Sequence, residues 1–202
     1  MKTPRLFIAL PISEEIRKGC EALQAIGKTK TASVKWVDLE QIHLTLVFLG
    51  WTDPSLRERI EEVIQEVSEE SPPFSIRVTG LGVFPRLRSP KVVWVGVSEE
   101  AALMKLQQGL TKKIGSLGIE LETRPYRPHL TLGRVKEGPV HAPFIHWITQ
   151  EKGIQIGGCA VSQVALMGSQ LSPGGSVYDR LFTSTLKDER SEWNRSPNRL
   201  TI

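Results

Sequence analysis

Apolar positions recur along this chain with two different periods, and these periods predict its secondary structure. Short apolar or alternating runs indicate strands, and they fall at residues 5–10, 34–37, 43–49, 74–79, 91–97, 129–135, 159–167 and 177–185. Apolar residues three and four apart indicate amphipathic helices, and they fall between Ser13 and Gly27, between Pro54 and Ser71, between Ser98 and Gly118, and after Pro143.

The order of these elements indicates the fold class. Strands and helices mix without strict alternation, so we expect an α+β fold with a mostly antiparallel sheet. The polar segment 187–202 has no hydrophobic period, and we expect it to be a disordered tail. Residues 1–186 are therefore predicted to form one domain.

Composition excludes some classes of protein. The 202 residues are 40% hydrophobic and 24% charged, which is typical of a soluble globular protein. No apolar run approaches the roughly 20 residues of a membrane span, and the apolar start resembles a strand more than a signal peptide. We therefore expect a cytoplasmic protein. Cys20 and Cys159 are too few for a disulfide framework, and Cys20 is predicted to be a buried thiol. The net charge of +4 is compatible with an anionic partner.

The sequence His-Leu-Thr-Leu occurs twice, at 43–46 and at 129–132. The two copies contain two of the four histidines of the chain, and both lie on predicted strands. A repeat of this kind would be explained by two related lobes.

On a strand, side chains alternate between faces. His43 and Thr45 therefore share one face, as do His129 and Thr131, while the leucines of both motifs point into the core. If the two strands are neighbours, a pocket with two imidazoles and two hydroxyls results. One imidazole can take a proton from water while the other protonates a leaving oxygen. A cyclic phosphate suits this pair, because opening its ring needs only a water molecule and a protonated leaving group, with no metal or other cofactor.

Zinc is the alternative use of histidine at such a site. A zinc site needs three or four protein ligands, and neither His141 nor His146 has ligand spacing relative to the two motifs. We therefore expect no metal, with His141 and His146 on the surface or at a helix boundary.

The motifs and their surroundings resemble one known family. The chain is similar to the two-histidine phosphoesterase superfamily and, within it, to the RNA 2′,3′-cyclic phosphodiesterases, also called 2′-5′ RNA ligases (LigT-like). The matching segments are RLFIALPIS at 5–13, Trp36, HLTLVFLG at 43–50, GVFPRLRSPKVVWVGV at 82–97, RPHLTLGRV at 127–135 and SQLSPGGSVYDRL at 169–181.

That resemblance implies a bilobed, pseudo-duplicated α+β fold, with two antiparallel sheets and flanking helices around a central cleft. It implies that RNA or a nucleotide with a 2′,3′-cyclic phosphate is hydrolysed to a 2′-phosphate, with His43 as the proton donor and His129 as the proton acceptor. Thr45 and Thr131 are implied to line the cleft. The residues alone do not decide which histidine is the acid.

Arg134 occupies the position at which the family holds the phosphate with an arginine. It lies an odd number of residues from His129, so strict alternation places it on the opposite face. A bulge near Gly133, or a strand end there, would bring it into the cleft. A surface arginine is the alternative.

Aromatic and basic residues complete the prediction. Phe84, next to Pro85 in a predicted loop, is the candidate for stacking on a base, whereas alternation favours core packing for Phe48. The basic residues expected to steer RNA toward the cleft are Arg86, Arg88, Lys91, Arg124 and Arg127. The tryptophans expected in the core or between the lobes are Trp36, Trp51, Trp94 and Trp147.

Two further functions are compatible with the same residues. A binding module can recognise RNA ends without turnover, and it would keep the cleft and the basic loop. A ligase can replace water with an RNA 5′-hydroxyl in the same site. A monomer is the expected oligomeric state.

Overall fold

The computed structural model describes residues 5–98, 100–136, 141–172 and 175–187. The strands are β1 Arg5–Leu10, β2 Val34–Trp36, β3 Leu44–Trp51, β4 Phe74–Phe84, β5 Val92–Val97, β6 His129–Val135, β7 Gln155–Val161, β8 Gln163–Ser172 and β9 Gly175–Thr185. The helices are α1 Glu14–Lys30, α2 Arg57–Glu69, α3 Ala101–Gly115 and α4 Ala142–Gln150. All but the first residue of the predicted tail lies outside the described residues.

The strands form one antiparallel sheet in the order β7-β4-β5-β6-β3-β1-β8-β9, with β2 paired to β6. This confirms the predicted α+β class with antiparallel pairing. The two expected sheets correspond to the halves β7-β4-β5-β6 and β3-β1-β8-β9. The halves are continuous, because β3 and β6 pair at Leu44 and Leu130. Each half therefore has one His-Leu-Thr-Leu segment at its inner edge.

The helices cover one face of this sheet. Helices α1 and α4 pack against β7 and β4, and α2 and α3 pack against β8, β9 and β3. The leucines of both motifs, Leu44, Leu46, Leu130 and Leu132, are buried in the core. This confirms the predicted alternation, and it leaves the opposite face of the sheet for the histidines and threonines.

Helix α1 continues past the predicted stop at Gly27 to Lys30. A Cβ atom on Gly27 would lie 2.3 Å from the ring of Trp36, so the glycine permits close packing and does not end the helix. Ser13 is the N-cap as predicted, and its hydroxyl accepts a hydrogen bond from the amide of Ile16 at 3.4 Å.

Further predicted boundaries are wrong. Strand β4 continues past the predicted end at residue 79 to Phe84, which therefore lies at a strand end and not in a loop. Ser98 does not cap α3, which begins at Ala101; the Ser98 hydroxyl instead accepts a hydrogen bond from the amide of Arg77 at 3.1 Å. The predicted strand 159–167 is two strands, β7 and β8, which are interrupted at Ser162 and belong to opposite halves.

Cys20 and Cys159 are both buried and free, which confirms the prediction for Cys20. Burial raises the pKa of the Cys20 thiol to about 12. Within the part of the chain that the structure describes, no helix has the length and apolarity needed to cross a membrane.

Candidate active site

The two repeated motifs meet at the centre of the sheet. Leu44 is paired with Leu130 in antiparallel strands, so the residue before one leucine lies across from the residue after the other. His43 therefore lies across from Thr131, and Thr45 lies across from His129. One cavity of about 200 Å³ is lined by His43, Thr45 and Thr131. A second cavity of about 440 Å³ is lined by Thr45 and His129, so the structure brings all four predicted residues to one cleft.

A backbone carbonyl oxygen two residues earlier in the chain holds each imidazole in the same way. His43 Nδ1 lies 2.7 Å from the carbonyl oxygen of Gln41, and His129 Nδ1 lies 2.7 Å from that of Arg127. A carbonyl oxygen only accepts, so Nδ1 carries a hydrogen in both rings. Nε2 is then the nitrogen of each histidine that is free to gain or lose a proton.

Aromatic rings surround His43. The ring of Phe7 stacks on it with centroids 4.8 Å apart and planes at 26°, and Tyr178 meets it edge-on at 5.2 Å. Burial lowers the pKa of His43 from 6.5, the hydrogen bond to Gln41 opposes this, and the charge of His129 lowers it further. The last effect links the two imidazoles electrostatically.

His129 has a related but different environment. The ring of Phe84 meets it edge-on at 5.0 Å, and Trp94 lies 6.4 Å away. Burial lowers the pKa of His129 from 6.5, and its hydrogen bond to the carbonyl of Arg127 opposes the shift. Both histidines therefore lose their protons more readily than an imidazole in water, which favours one neutral ring as a base.

The hydroxyls of Thr45 and Thr131 are half-buried in the cleft. Among the described residues, no protein group forms a hydrogen bond with either hydroxyl, so both can donate to a ligand. Tyr126 lines the same cavity as Thr45 and His129, and its hydroxyl donates to the Thr45 carbonyl oxygen at 3.0 Å, which helps to hold this part of β3 in place.

Arg134 reaches the cleft through a bulge in β6. Val93 pairs with Gly133 and Trp94 pairs with Thr131, so Leu132 is the extra residue between them. The extra residue reverses the alternation, and Arg134 lines the same cavity as Thr131. The bulge lies next to Gly133, where the sequence predicts that one is needed to bring Arg134 into the cleft.

The prediction that Phe48 packs in the core is wrong, because β3 also contains a bulge. Ala9 pairs with Thr45 and Ile8 with Val47, so Leu46 is skipped. Phe48 then lies on the face of Thr45 and is 58% exposed. It lines both cavities.

The prediction for Trp51 is wrong as well. A second register shift in β3 places Trp51 opposite Arg5, where its side chain is 64% exposed. The tryptophans that do pack internally are Trp147, which is buried, and Trp36, which meets the Trp147 ring edge-on at 6.4 Å. Trp94 is half-buried and packs against Phe84, with ring centroids 4.9 Å apart.

Phe84 is half-buried at the end of β4 and lines the cavity on the His129 side. Arg124 and Arg127 line the same cavity. The other predicted basic residues, Arg86, Arg88 and Lys91, lie in the loop between β4 and β5.

Several cleft residues were not predicted from the sequence, namely Arg5, Phe7, Gln41, Ser169 and Tyr178. Phe7 alternates with buried aliphatic residues in an apolar strand, and nothing local marks its face as the cleft. Phe7 and Tyr178 both lie in segments that match the family, 5–13 and 169–181, and that match was the one signal available for them.

Metal-ligating side chains do not cluster in residues 5–98, 100–136, 141–172 and 175–187, where no group of three or more His, Cys, Asp or Glu side chains can hold a metal ion. His141 lies immediately before α4 and His146 lies on it, and both are exposed. Their positions agree with the predicted surface or helix-boundary location.

The fold and the site together define a class of protein: an antiparallel α+β scaffold with two histidine–threonine pairs in one cleft. The model of the 2′-5′ RNA ligase superfamily matches residues 13–171. The chain belongs to the 2′-5′ RNA ligase superfamily.

Two relatives illustrate this membership. A Methanothermobacter thermautotrophicus protein named RNA 2′,3′-cyclic phosphodiesterase is 35% identical over 174 residues, which are 86% of this chain and 94% of that protein. An Archaeoglobus fulgidus protein of the same name is 36% identical over 180 residues, 88% of this chain and 97% of that protein.

Two solved structures have folds similar to that of this chain. A Thermus thermophilus protein superposes with a TM-score of 0.80 at 28% identity, covering 92% of this chain and 99% of that one. Escherichia coli LigT in complex with 3′-AMP gives a TM-score of 0.73 at 25% identity, with the same coverage of 92% and 99%.

Proposed function

We propose that this protein hydrolyses RNA or nucleotides that end in a 2′,3′-cyclic phosphate, and that it releases a 2′-phosphomonoester. The observation that carries the proposal is the matched pair of imidazoles in one cleft. Each is oriented by a carbonyl 2.7 Å from Nδ1, and each has a threonine two residues further along the chain. The names of the relatives point to the same reaction.

The reaction needs two proton transfers. Nε2 of His129 takes a proton from water as the water oxygen attacks phosphorus. The bond between phosphorus and the 3′ oxygen breaks, and Nε2–H of His43 protonates that oxygen. The 2′ oxygen keeps its bond to phosphorus, so the product is a 2′-phosphate. The products leave His129 protonated and His43 neutral, and proton exchange with solvent restores the starting state.

The non-bridging phosphate oxygens gain charge as water adds. The free hydroxyls of Thr45 and Thr131 supply donors for these oxygens, and pre-placed donors stabilise a transition state because they need no reorganisation. The guanidinium of Arg134 adds a positive charge in a geometry that suits two phosphate oxygens.

A nucleoside can be accommodated on either side of these donors. Phe84 is the proposed aromatic contact for a base on the His129 side, where its ring and that of Phe48 line one cavity. The basic residues Arg124 and Arg127 line that cavity too, and they favour an anionic ligand there. The monomeric state and the cytoplasmic location remain predictions from the sequence.

Product analysis with adenosine 2′,3′-cyclic phosphate tests the proposal. We expect adenosine 2′-phosphate as the product. A 3′-phosphate product would show that the 2′ oxygen leaves and would overturn the assigned geometry. Binding without any product would favour the RNA-end-binding module instead. Adding an RNA with a 5′-hydroxyl end to the same reaction tests whether a 2′-5′ linkage also forms.

A further inference from the structure

A row of side chains on the cleft face of the sheet extends along strands β1 and β3, from the buried Phe7 to the exposed Phe48 and Trp51. The cross-strand pairs on this face are Ala9 with Thr45, then Phe7 with Phe48, then Arg5 with Trp51. Strands rise about 3.3 Å per residue, so the Arg5–Trp51 pair lies about 13 Å from the Ala9–Thr45 pair. We call the four side chains of Phe7, Phe48, Arg5 and Trp51 the β1–β3 stripe.

The outer end of the stripe combines an aromatic ring with a cation. The guanidinium carbon of Arg5 lies 5.8 Å from the centroid of the Trp51 ring. Despite this contact, Trp51 is the most exposed of the large hydrophobic residues that the structure describes, at 64%. An exposed tryptophan held on a sheet face by a cation offers a flat apolar surface next to a positive charge.

The charge of this region is uniform. Within the described part of the chain, the side chains that line the cavity reaching Arg5 include two arginines, Arg5 and Arg134, and no carboxylate. Such a lining suits an anionic ligand that is longer than one phosphate. Exposed aromatic rings beside positive charge form the kind of surface that binds single-stranded nucleic acid, because every base has a face that stacks.

We infer that the β1–β3 stripe binds the RNA nucleotides that precede the cyclic phosphate, with a base on Trp51 and a phosphate on Arg5. The inference rests on the proposed function, which places the 3′ oxygen next to His43. The ribose then lies on the His43 side of the cleft, where Phe7 stacks on His43 and the stripe begins. The 5′ end of that ribose continues into the upstream strand.

This assignment makes the protein selective for chain length. A single nucleoside 2′,3′-cyclic phosphate fills the cleft between the threonines but does not reach Trp51. A trinucleotide does reach it. The proposed role of Trp51 is therefore absent for the first substrate and present for the second.

The test compares KM for adenosine 2′,3′-cyclic phosphate with KM for a triadenylate that ends in a 2′,3′-cyclic phosphate. We expect the wild-type protein to have the lower KM for the trinucleotide. Trp51→Ala should raise the trinucleotide KM about 5- to 150-fold, the usual loss for one stacked base, and leave the mononucleotide KM unchanged. Equal wild-type KM values, or an equal loss on both substrates in Trp51→Ala, would overturn the inference.

A second variant tests the phosphate contact. Arg5→Ala should reduce the slope of log(kcat/KM) against log salt for the trinucleotide by about 0.7, the loss of one single-strand phosphate contact. Arg59→Ala is the matched control, because Arg59 is exposed on α2, on the helical face of the sheet. Ile26→Ala removes an exposed apolar side chain from α1 and controls for Trp51. An unchanged slope in Arg5→Ala would contradict the contact.

These experiments distinguish a failure of the proposed hydrolysis from a failure of the proposed RNA-binding stripe. If the wild-type protein hydrolyses neither substrate, the proposed function is wrong. Equilibrium dissociation constants of the mononucleotide and the trinucleotide then test whether the stripe binds RNA. If it does, Trp51→Ala weakens binding of the trinucleotide only. If the mononucleotide is hydrolysed and Trp51→Ala has no effect on the trinucleotide, the stripe alone is wrong.

Discussion

Leu44 pairs with Leu130 at the centre of the sheet, and among the described residues this is the single Cα pair that joins β3 to β6. Both leucine side chains are buried. Because one residue of each motif is fixed against the other, the neighbouring histidines and threonines are fixed as well. Two distant parts of the sequence thus form one site on a rigid strand junction.

Phe48 and Phe144 allow the bulge in β3 to be tested by stability. Phe144 is 1% exposed and Phe48 is 58% exposed. We expect Phe144→Ala to lower the free energy of unfolding by about 3–5 kcal/mol, and Phe48→Ala to change it by less than about 1 kcal/mol. Chemical denaturation measures both values. An equal loss in the two variants would mean that Phe48 is packed in the core, as simple alternation predicts.

The bulges explain what the sequence could and could not reveal. Hydrophobic period identified the strands and the faces of His43, Thr45 and the buried leucines, since these depend on local alternation. The faces of Phe48 and Trp51 depend on register shifts against β1. Such shifts are set by pairing with a distant strand and leave no local signal.

Long-range packing accounts for the other differences. Phe7 and Tyr178 contact His43 from opposite ends of the chain, and only the folded sheet brings them together. The interruption at Ser162 separates β7 from β8 and sends them to opposite halves, although the apolar pattern across it reads as one strand. Gly27 is a stop signal by sequence, but the Trp36 ring requires a glycine there.

The pH dependence of hydrolysis follows from the two imidazoles. The base must be neutral and the acid protonated, so kcat/KM should be bell-shaped. Burial lowers the pKa of both His43 and His129 from 6.5, and we therefore expect both limbs to lie below the ordinary histidine value. Bound phosphate favours the charged form of His43 and raises its pKa, so the kcat profile should extend to higher pH. A kcat/KM profile that is flat from about pH 5 to 8 would contradict the paired roles.

The lowered pKa values of His43 and His129 also predict how the free energy of unfolding depends on pH. The unfolded chain protonates these histidines near their ordinary pKa of 6.5, before the folded protein does. The free energy of unfolding should therefore decrease as the pH falls through this region, until the folded imidazoles are protonated too. Above the ordinary pKa the effect is absent.

A double variant tests this linkage. His43→Gln with His129→Gln should lose less stability between about pH 7 and pH 5 than the wild-type protein. His141→Gln with His146→Gln is the matched control, because both imidazoles are exposed on or next to α4. Chemical denaturation at each pH gives the comparison. The same acid loss in the double variant and the wild type would show that other groups cause it.

Arg134 is expected to bind the phosphate through its planar fork. Hydrogen bonds to charged groups contribute about 1.5–3 kcal/mol, so Arg134→Ala should lower kcat/KM about 10- to 150-fold. Arg134→Lys keeps the charge without the fork and should recover part of the loss. Arg59→Ala on α2 should match the wild type. Wild-type kcat/KM in Arg134→Ala would remove this residue from the site.

The proposed mechanism requires the two imidazoles to act as a pair on one phosphate. The most direct measurement is kcat on adenosine 2′,3′-cyclic phosphate for His43→Ala, for His129→Ala and for the double variant, with circular dichroism to verify folding. Each single variant should lose about 10²- to 10⁴-fold, and the double variant should be far less impaired than the product of the two losses. Full activity in either folded single variant would contradict the paired mechanism.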